Sequence, residues 1–415
     1  MANPMPHVVI VGAGFGGLRA ARALANAPVR VTLVDRKNYH LFQPLLYQVA
    51  VAGLSPDDIA QPVRKIFRDQ KNLEFCLSEV KQIRLEDKVL VTAMQEIPYD
   101  YLILSVGGET NYFGIDSVAH NALALKDLED AVLIRNQILR MFELASLEKD
   151  PERSKAMRTF VIVGGGPTGV ESAGAISELI RLVLAHDYPN LNFNDVRVIL
   201  VEATQSLLPG MPEGLTQYTA DKLWEKHVEI HFGSAVIGFD GSQVYFKGGE
   251  ILPACTLIWA AGVRPVSTLD TLGVEQGRLG RVVVEETLQV PGHPEAFVIG
   301  DAALLTGPDG RPLPMVAPVA MQQGALAARN ILRLIAGKPL QPFVYKDPGS
   351  LATIGRNAAV AHLGRWQFTG FLAWVLWLVV HLIQLIGFRN RLVVLINWAW
   401  DYFFYDRPLR LILPE

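Results

Sequence analysis

Two glycine triplets are the first residues in this sequence whose types and spacing imply chemistry. Gly12, Gly14 and Gly17 stand in GxGxxG spacing after the apolar run VVIV, and Gly164, Gly166 and Gly169 repeat it after TFVIV. In such a turn the first glycine makes the tight bend, the second lets a pyrophosphate approach the backbone, and the third lets helix and strand pack closely. The helix that follows then offers unsatisfied N–H groups to the phosphates. Each turn is followed by a strand ending in an acid, VRVTLVD at Asp35 and VRVILVE at Glu202. A carboxylate in that place hydrogen-bonds a ribose hydroxyl and repels a 2′-phosphate, and no Arg or Lys follows within EATQS, so NADH is expected over NADPH at the second turn. Two dinucleotide sites in one chain are most simply a tightly held flavin, FAD, and an exchangeable nicotinamide, with a hydride passing between them.

The other reactive side chains exclude rival chemistry. The two cysteines, Cys76 and Cys255, lie 179 positions apart and form no CxxC, which removes a local redox disulfide and a four-thiolate iron–sulfur cluster. No metal site is expected. A net charge of −3 argues against a nucleic-acid partner, which calls for a basic surface. The residues ahead of the first strand carry no basic segment and no apolar run, so a cytoplasmic compartment is the expectation.

The elements that must position these groups follow from periodicity and length. A chain of 415 residues exceeds one hydrophobic core. We expect an α/β protein with two Rossmann-like dinucleotide-binding domains of the glutathione-reductase kind, followed by a C-terminal helical membrane-attachment region. Residues 1–115 with 280–345 form the FAD-binding domain, 116–154 a helical linker, 155–275 the NADH-binding domain, and 346–415 the attachment region. The first domain closes on YLILSVGG, ending at Gly107, and the second on LIWAAGV, which contains Gly262. In VIGDAA, Asp301 follows a short strand and opens a helix, where its carboxylate can fix the flavin's ribityl chain or a water at the pyrophosphate.

The motifs VGAGFGG, NYHLFQPLLYQVA, VGGGPTGVESAG, LIWAAGV, VIGDAA and APVAMQQG occur in one order along nearly the whole chain. In that order the chain resembles a type II NADH:quinone oxidoreductase, the single-subunit, non-proton-pumping NADH dehydrogenase of the two-dinucleotide-domain flavoproteins. The resemblance implies noncovalent FAD on Gly12, Gly14, Phe15, Gly16, Gly17, Asp35, Arg36, Gly107, Asp301 and Ala317. Pro44, within FQPLL, is implied to line the isoalloxazine and Val80 to meet the adenine. NADH is implied on Gly164, Gly166, Pro167, Thr168, Gly169, Glu202 and Gly262. Glu171 is implied beside nicotinamide and flavin, and Gln322 and Gln323, at a helix start, near the flavin's pyrimidine edge and a membrane quinone; these three are the expected catalytic residues. The family pattern A-Q-x-A-x-Q is here Ala317, Pro318, Val319, Ala320, Met321, Gln322. Proline offers no side-chain amide to a quinone carbonyl, so the quinone's identity is not legible in this motif.

Two other readings share parts of the pattern. A sulfide:quinone oxidoreductase needs a cysteine pair that carries sulfur, and an NADH-responsive flavoprotein sensor needs reduction without fast reoxidation. The tail bears on the partner. Five of seven tryptophans and six arginines against three acids fall between Leu351 and Glu415, the composition of a segment lying at a lipid headgroup surface. Trp366 to Phe388 is a run of 23 residues without a formal charge, long enough to span a bilayer. His381 and Gln384 one turn apart, with a second apolar stretch after RNR, favour two interfacial helices instead. The expectation is monotopic attachment to the cytoplasmic face of a membrane, with a homodimer contact as the other use of the tail.

Overall fold

The computed structural model describes residues 5–413, which form two compact units. The first holds the chain up to His40, Gln61–Glu109 and Val263–Asp347; the second holds Leu41–Ala60, Thr110–Gly262 and the chain from Pro348 onward.

In the first unit a six-stranded sheet runs in the order Gln289–Val290, His293–Val298, Tyr101–Leu104, His7–Val11, Arg30–Asp35, Leu73–Leu77. All pairs but the Gln289 hairpin are parallel, with Val9 opposite both Thr32 and Leu102. Every residue of His7–Val11 is buried. A parallel strand covered by helices on both faces must be apolar throughout, which is why the sequence there does not alternate. The helix Phe15–Ala23 follows the first glycine turn and packs on the helix Ala317–Ile335. A smaller antiparallel sheet, Val80–Arg84, Val89–Thr92 and Glu96–Pro98, stands beside them.

The second unit repeats the plan with a parallel sheet in the order Leu123–Ala124, Thr256–Trp259, Thr159–Val163, Arg197–Glu202, Val228–Phe232. The helix Pro167–Leu179 follows the second glycine turn and continues through a π turn at Ile180–Leu184. The segment expected as a linker, 116–154, is instead part of this unit. Leu123–Ala124 pairs with Ile258–Trp259, and the helix Leu128–Leu147 buries Ala131, Ile134, Ile138 and Phe142. Residues 41–60, which carry FQPLL, also cluster here, whereas 263–279 joins the first unit.

The C-terminal region belongs to the second unit as well. It is an antiparallel meander, Ser350–Gly355, Ala358–Leu363 and Trp366–Thr369, followed by the helices Gly370–Gln384 and Phe388–Phe404. The 23-residue uncharged run is thus divided among a strand, a helix of 15 residues and a break. Fifteen residues extend about 22 Å, short of the ~30 Å of a hydrocarbon core. Arg391 makes the break local and firm: its Nε donates to the Leu385 carbonyl at 2.8 Å and its Nη2 to that of Ile383 at 2.7 Å. Asn390, buried, donates to the carbonyls of Asp57 and Asp58, both at 2.8 Å. No helix among the described residues is long and apolar enough to cross a membrane.

Candidate functional site

The two glycine turns share one geometry. Gly12 has φ +99° and Gly164 φ +114°, a region closed to other residues, and a Cβ on either would strike the backbone of the neighbouring strand end, at Ser105 or Ala260. Gly17 and Gly169 lie against the carbonyls of Gly12 and Gly164, closer than any side chain permits. Gly14 and Gly166 are extended, begin their helices without a side-chain cap, and face open space: a Cβ there would meet nothing within 4 Å. Uncapped helix N–H groups beside open space are an anion cradle. Pro167 occupies the first turn of the second helix, where its missing N–H costs nothing. It and Thr168 are exposed.

The strand-end acids serve both turns alike. Asp35 accepts from the Ala13 amide at 2.6 Å and from Lys37 N at 2.8 Å; Glu202 accepts from Gly165 N at 2.6 Å and Thr204 N at 2.7 Å. Each carboxylate therefore ties the phosphate loop to the strand after it, a role the spacing alone did not disclose. Burial raises the Asp35 carboxyl, and both backbone N–H bonds oppose that shift. Phe15 meets His40 edge-on at 5.0 Å, and His40 Nδ1 lies 3.0 Å from the Ala13 carbonyl, closing the loop from its other side. Arg36 is exposed.

Elsewhere in the first unit, Gly107 leaves open space where its side chain would stand, and Val80 is half-buried. Asp301 lies in a 3-10 turn, Gly300–Ala302, rather than opening a helix. Gln323 is fully buried, and its Oε1 accepts from Gly300 N at 2.7 Å. Its Nε2 has no protein partner, an unspent buried donor beside the Asp301 turn. Gln322 differs from expectation: its Nε2 donates to the Lys346 carbonyl at 2.8 Å and its Oε1 accepts from Lys346 N at 3.0 Å. Both ends of that amide are thereby committed to backbone. Neither glutamine stands at a helix start, because the helix begins at Ala317.

In the second unit, Phe42, Leu45 and Leu46 are buried and leave only Gln43 and Pro44 of FQPLL partly accessible. Gly262 packs under the Phe113 ring. Glu171, 8% exposed, lies in the helix after the second turn. Its Oε1 accepts from Thr353 N at 3.3 Å and from Trp377 Nε1 at 3.2 Å, both long bonds. Burial is the largest influence and raises its carboxyl to about 8, with both hydrogen bonds opposing. At neutral pH this acid holds its proton.

Glu171 lines a partly open cleft whose space, solvent at its mouth included, is about 820 Å³. Its walls are Tyr47, Val51, Ala175, Leu182, Trp374, Trp377, Leu378, Trp398 and Tyr402, with Gln48, Glu178, Arg356, Asp401 and Arg407 as its polar groups. Trp377 stacks on His381 with ring centres 4.0 Å apart, and Trp398 Nε1 donates to Gln48 Oε1 at 2.7 Å. An apolar aromatic cleft with a few convergent polar groups fits a flat, uncharged ring. Sequence reasoning found Glu171 and missed the rest. One signal was available, the lone acid Asp401 inside the apolar stretch LINWAWDYFF.

Comparison with known proteins bears on these sites. Residues 6–324 match the pyridine nucleotide-disulphide oxidoreductase family, and residues 348–405 match the NDH2 C-terminal domain. The type II NADH:quinone oxidoreductase Ndh of Mycobacterium tuberculosis is 40% identical over 413 residues, which cover 95% of this chain and 88% of that protein. The structure of NDH2 from Plasmodium falciparum in complex with NADH superposes with a TM-score of 0.90 at 22% identity, over 97% of this chain and 99% of that one. The sulfide:quinone oxidoreductase of Aquifex aeolicus shares the fold at a TM-score of 0.74 and 18% identity, over 97% and 96% of the two chains. Here, however, Cys76 and Cys255 are free and belong to different units.

Proposed function

Because this chain belongs to the type II NADH:quinone oxidoreductase family and is an NADH:quinone oxidoreductase, we propose that its first glycine turn holds FAD, its second holds NADH, and the aromatic cleft beside Glu171 receives the quinone ring. The observation that carries the reading is Glu171 itself, a proton-bearing carboxyl buried in that cleft one turn into the helix of the second dinucleotide motif.

The first unit fits a flavin dinucleotide on its own evidence. The open cradle at Gly14, the uncapped helix start and the unspent Gln323 Nε2 are groups that a diphosphate and a polar ring edge satisfy. Gly12 to Gly17 hold the diphosphate, Asp35 keeps lone pairs for a ribose hydroxyl, and Asp301, Ala317, Gly107 and Val80 take the places the resemblance gives them. Bound FAD supplies a two-electron carrier between the two substrates. The second unit binds NADH in the same way on Gly164 to Gly169, with Glu202 disfavouring a 2′-phosphate and Gly262 taking the place the resemblance gives it.

The reaction balances as NADH + H⁺ + quinone → NAD⁺ + quinol. Glu171 Oε1 accepts both N–H bonds, which leaves Oε2 to carry the proton. The protonated acid donates it to a quinone oxygen as negative charge develops there. With its carboxyl near 8, Glu171 carries its proton at neutral pH and has lost it above pH 9.

The exposed side of the two C-terminal helices supports membrane attachment. Phe388 is 82% and Phe403 73% exposed, and Leu372, Ile383 and Ile396 are exposed as well. Side chains of this kind enter the headgroup boundary of a bilayer, which is where a lipid-borne quinone is found.

The test is the pH dependence of kcat with a water-soluble quinone. Wild type is expected to lose activity through an alkaline limb near pH 8, and Glu171→Gln to be slow and to lack that limb. An unaltered limb in the variant removes Glu171 from proton donation.

A further inference from the structure

Quinol formation consumes two protons at the ring, and Glu171 carries one. We propose that Asp401 is the second proton donor of the cleft, a relay that takes protons from water and delivers them to the other quinone oxygen. The inference rests on the reading of the aromatic cleft as the quinone site.

Asp401 lies near the end of the helix Phe388–Phe404, between the cleft-lining Trp398 and Tyr402, and itself lines the cleft. Its carboxyl oxygens have no hydrogen bond or ion pair among the described residues, although the group is half-buried. A carboxylate placed in an apolar helix without a partner is costly to the fold, and its ordinary outcome is an ion pair. None forms here. Arg407, whose charge acts on Asp401, donates its Nη1 to the Val51 carbonyl at 3.0 Å instead. Arg356 is held between the rings of Tyr402 and Tyr405, 4.1 and 4.2 Å from their centres.

The surroundings suit a relay. Burial raises the Asp401 carboxyl to about 6, Arg407 opposes the shift and Asp406 adds to it. The other titratable groups of the cleft are Tyr47, Glu171, Glu178, Tyr402 and Tyr405, with Arg356 and Arg407, and Glu178 is paired to Lys226 at 2.6 Å. Glu171 is only 8% exposed, whereas Asp401 is partly open to water and titrates near 6. Two carboxyl O–H bonds break and two quinol O–H bonds form, with both electrons supplied by NADH. Both carboxylates are refilled from water, one by a proton equivalent to that released as NADH is oxidised, leaving a net uptake of one.

Asp401→Asn removes the proton and keeps the shape. We expect kcat with a water-soluble quinone to fall about tenfold or more, the quinone KM to stay within about twofold, and added imidazole to restore part of the rate. NADH-driven ferricyanide reduction takes up no proton and is expected to fall far less. Asp401→Glu should retain most of the quinone activity. A kcat within about twofold of wild type, or equal losses with quinone and ferricyanide, overturns the proposal. Ala175→Phe tests the cleft separately by filling it from the opposite helix. If quinone reduction survives that variant unchanged, the cleft reading fails. If it is lost there but untouched in Asp401→Asn, only the relay fails.

Discussion

Replacing Glu171 by Gln is expected to stabilise the protein at alkaline pH while impairing it as an enzyme. Below pH 4.5 the side chain is protonated folded and unfolded, so its proton contributes nothing to the pH dependence. Between 4.5 and about 8 only the folded state retains the proton, and folding weakens by about 1.4 kcal/mol for each pH unit. Above 8 both states are ionised and the loss is complete. Gln is neutral throughout and keeps the oxygen that accepts from Thr353 and Trp377. The variant should therefore gain on wild type by about 3 kcal/mol between pH 6 and pH 8, roughly 5 to 10 °C in Tm for a unit of this size. The measurement is the Tm of both proteins at pH 6, 7 and 8, each with the same saturation of bound cofactor. A difference that stays constant across that range means Glu171 ionises normally in the fold, and the proton-holding role falls with it.

Protein purified without added cofactor should release FAD on heating, identified by chromatography; FMN, or no flavin, breaks the assignment of the first turn. Glu202→Gln should lower kcat/KM for NADH and narrow its preference over NADPH, because one repulsive charge and one turn-holding oxygen are lost together. An unchanged ratio of the two kcat/KM values removes Glu202 from cofactor choice. Phe388→Glu with Phe403→Glu should move the enzyme from the membrane to the soluble fraction while it still reduces a water-soluble quinone. Retention on vesicles by the double variant places attachment elsewhere.

The sequence by itself determined the two nucleotide turns, and for a local reason. Strand, glycine turn, helix and strand-end acid of each motif fall within a few dozen consecutive residues, and the glycine positions are fixed by backbone contacts that no other residue allows. The paired sheets followed from the same runs, since strands buried on both faces read as unbroken apolar segments. The tail shows where that reasoning stops. Hydropathy admitted a spanning segment, and the fold broke it because Arg391 caps the first helix and Asn390 fastens the second to Asp57 and Asp58, more than 330 positions away. Gln322 was equally opaque, because only the fold brings Lys346 to its amide. The cleft was decided wholly by tertiary structure. Glu171 meets Thr353 across 182 positions and Trp377 across 206, and Asp401 joins them from a third segment. Burial, not residue type, raises that glutamate's carboxyl to about 8. No local pattern encodes burial that segments so far apart create only by packing together.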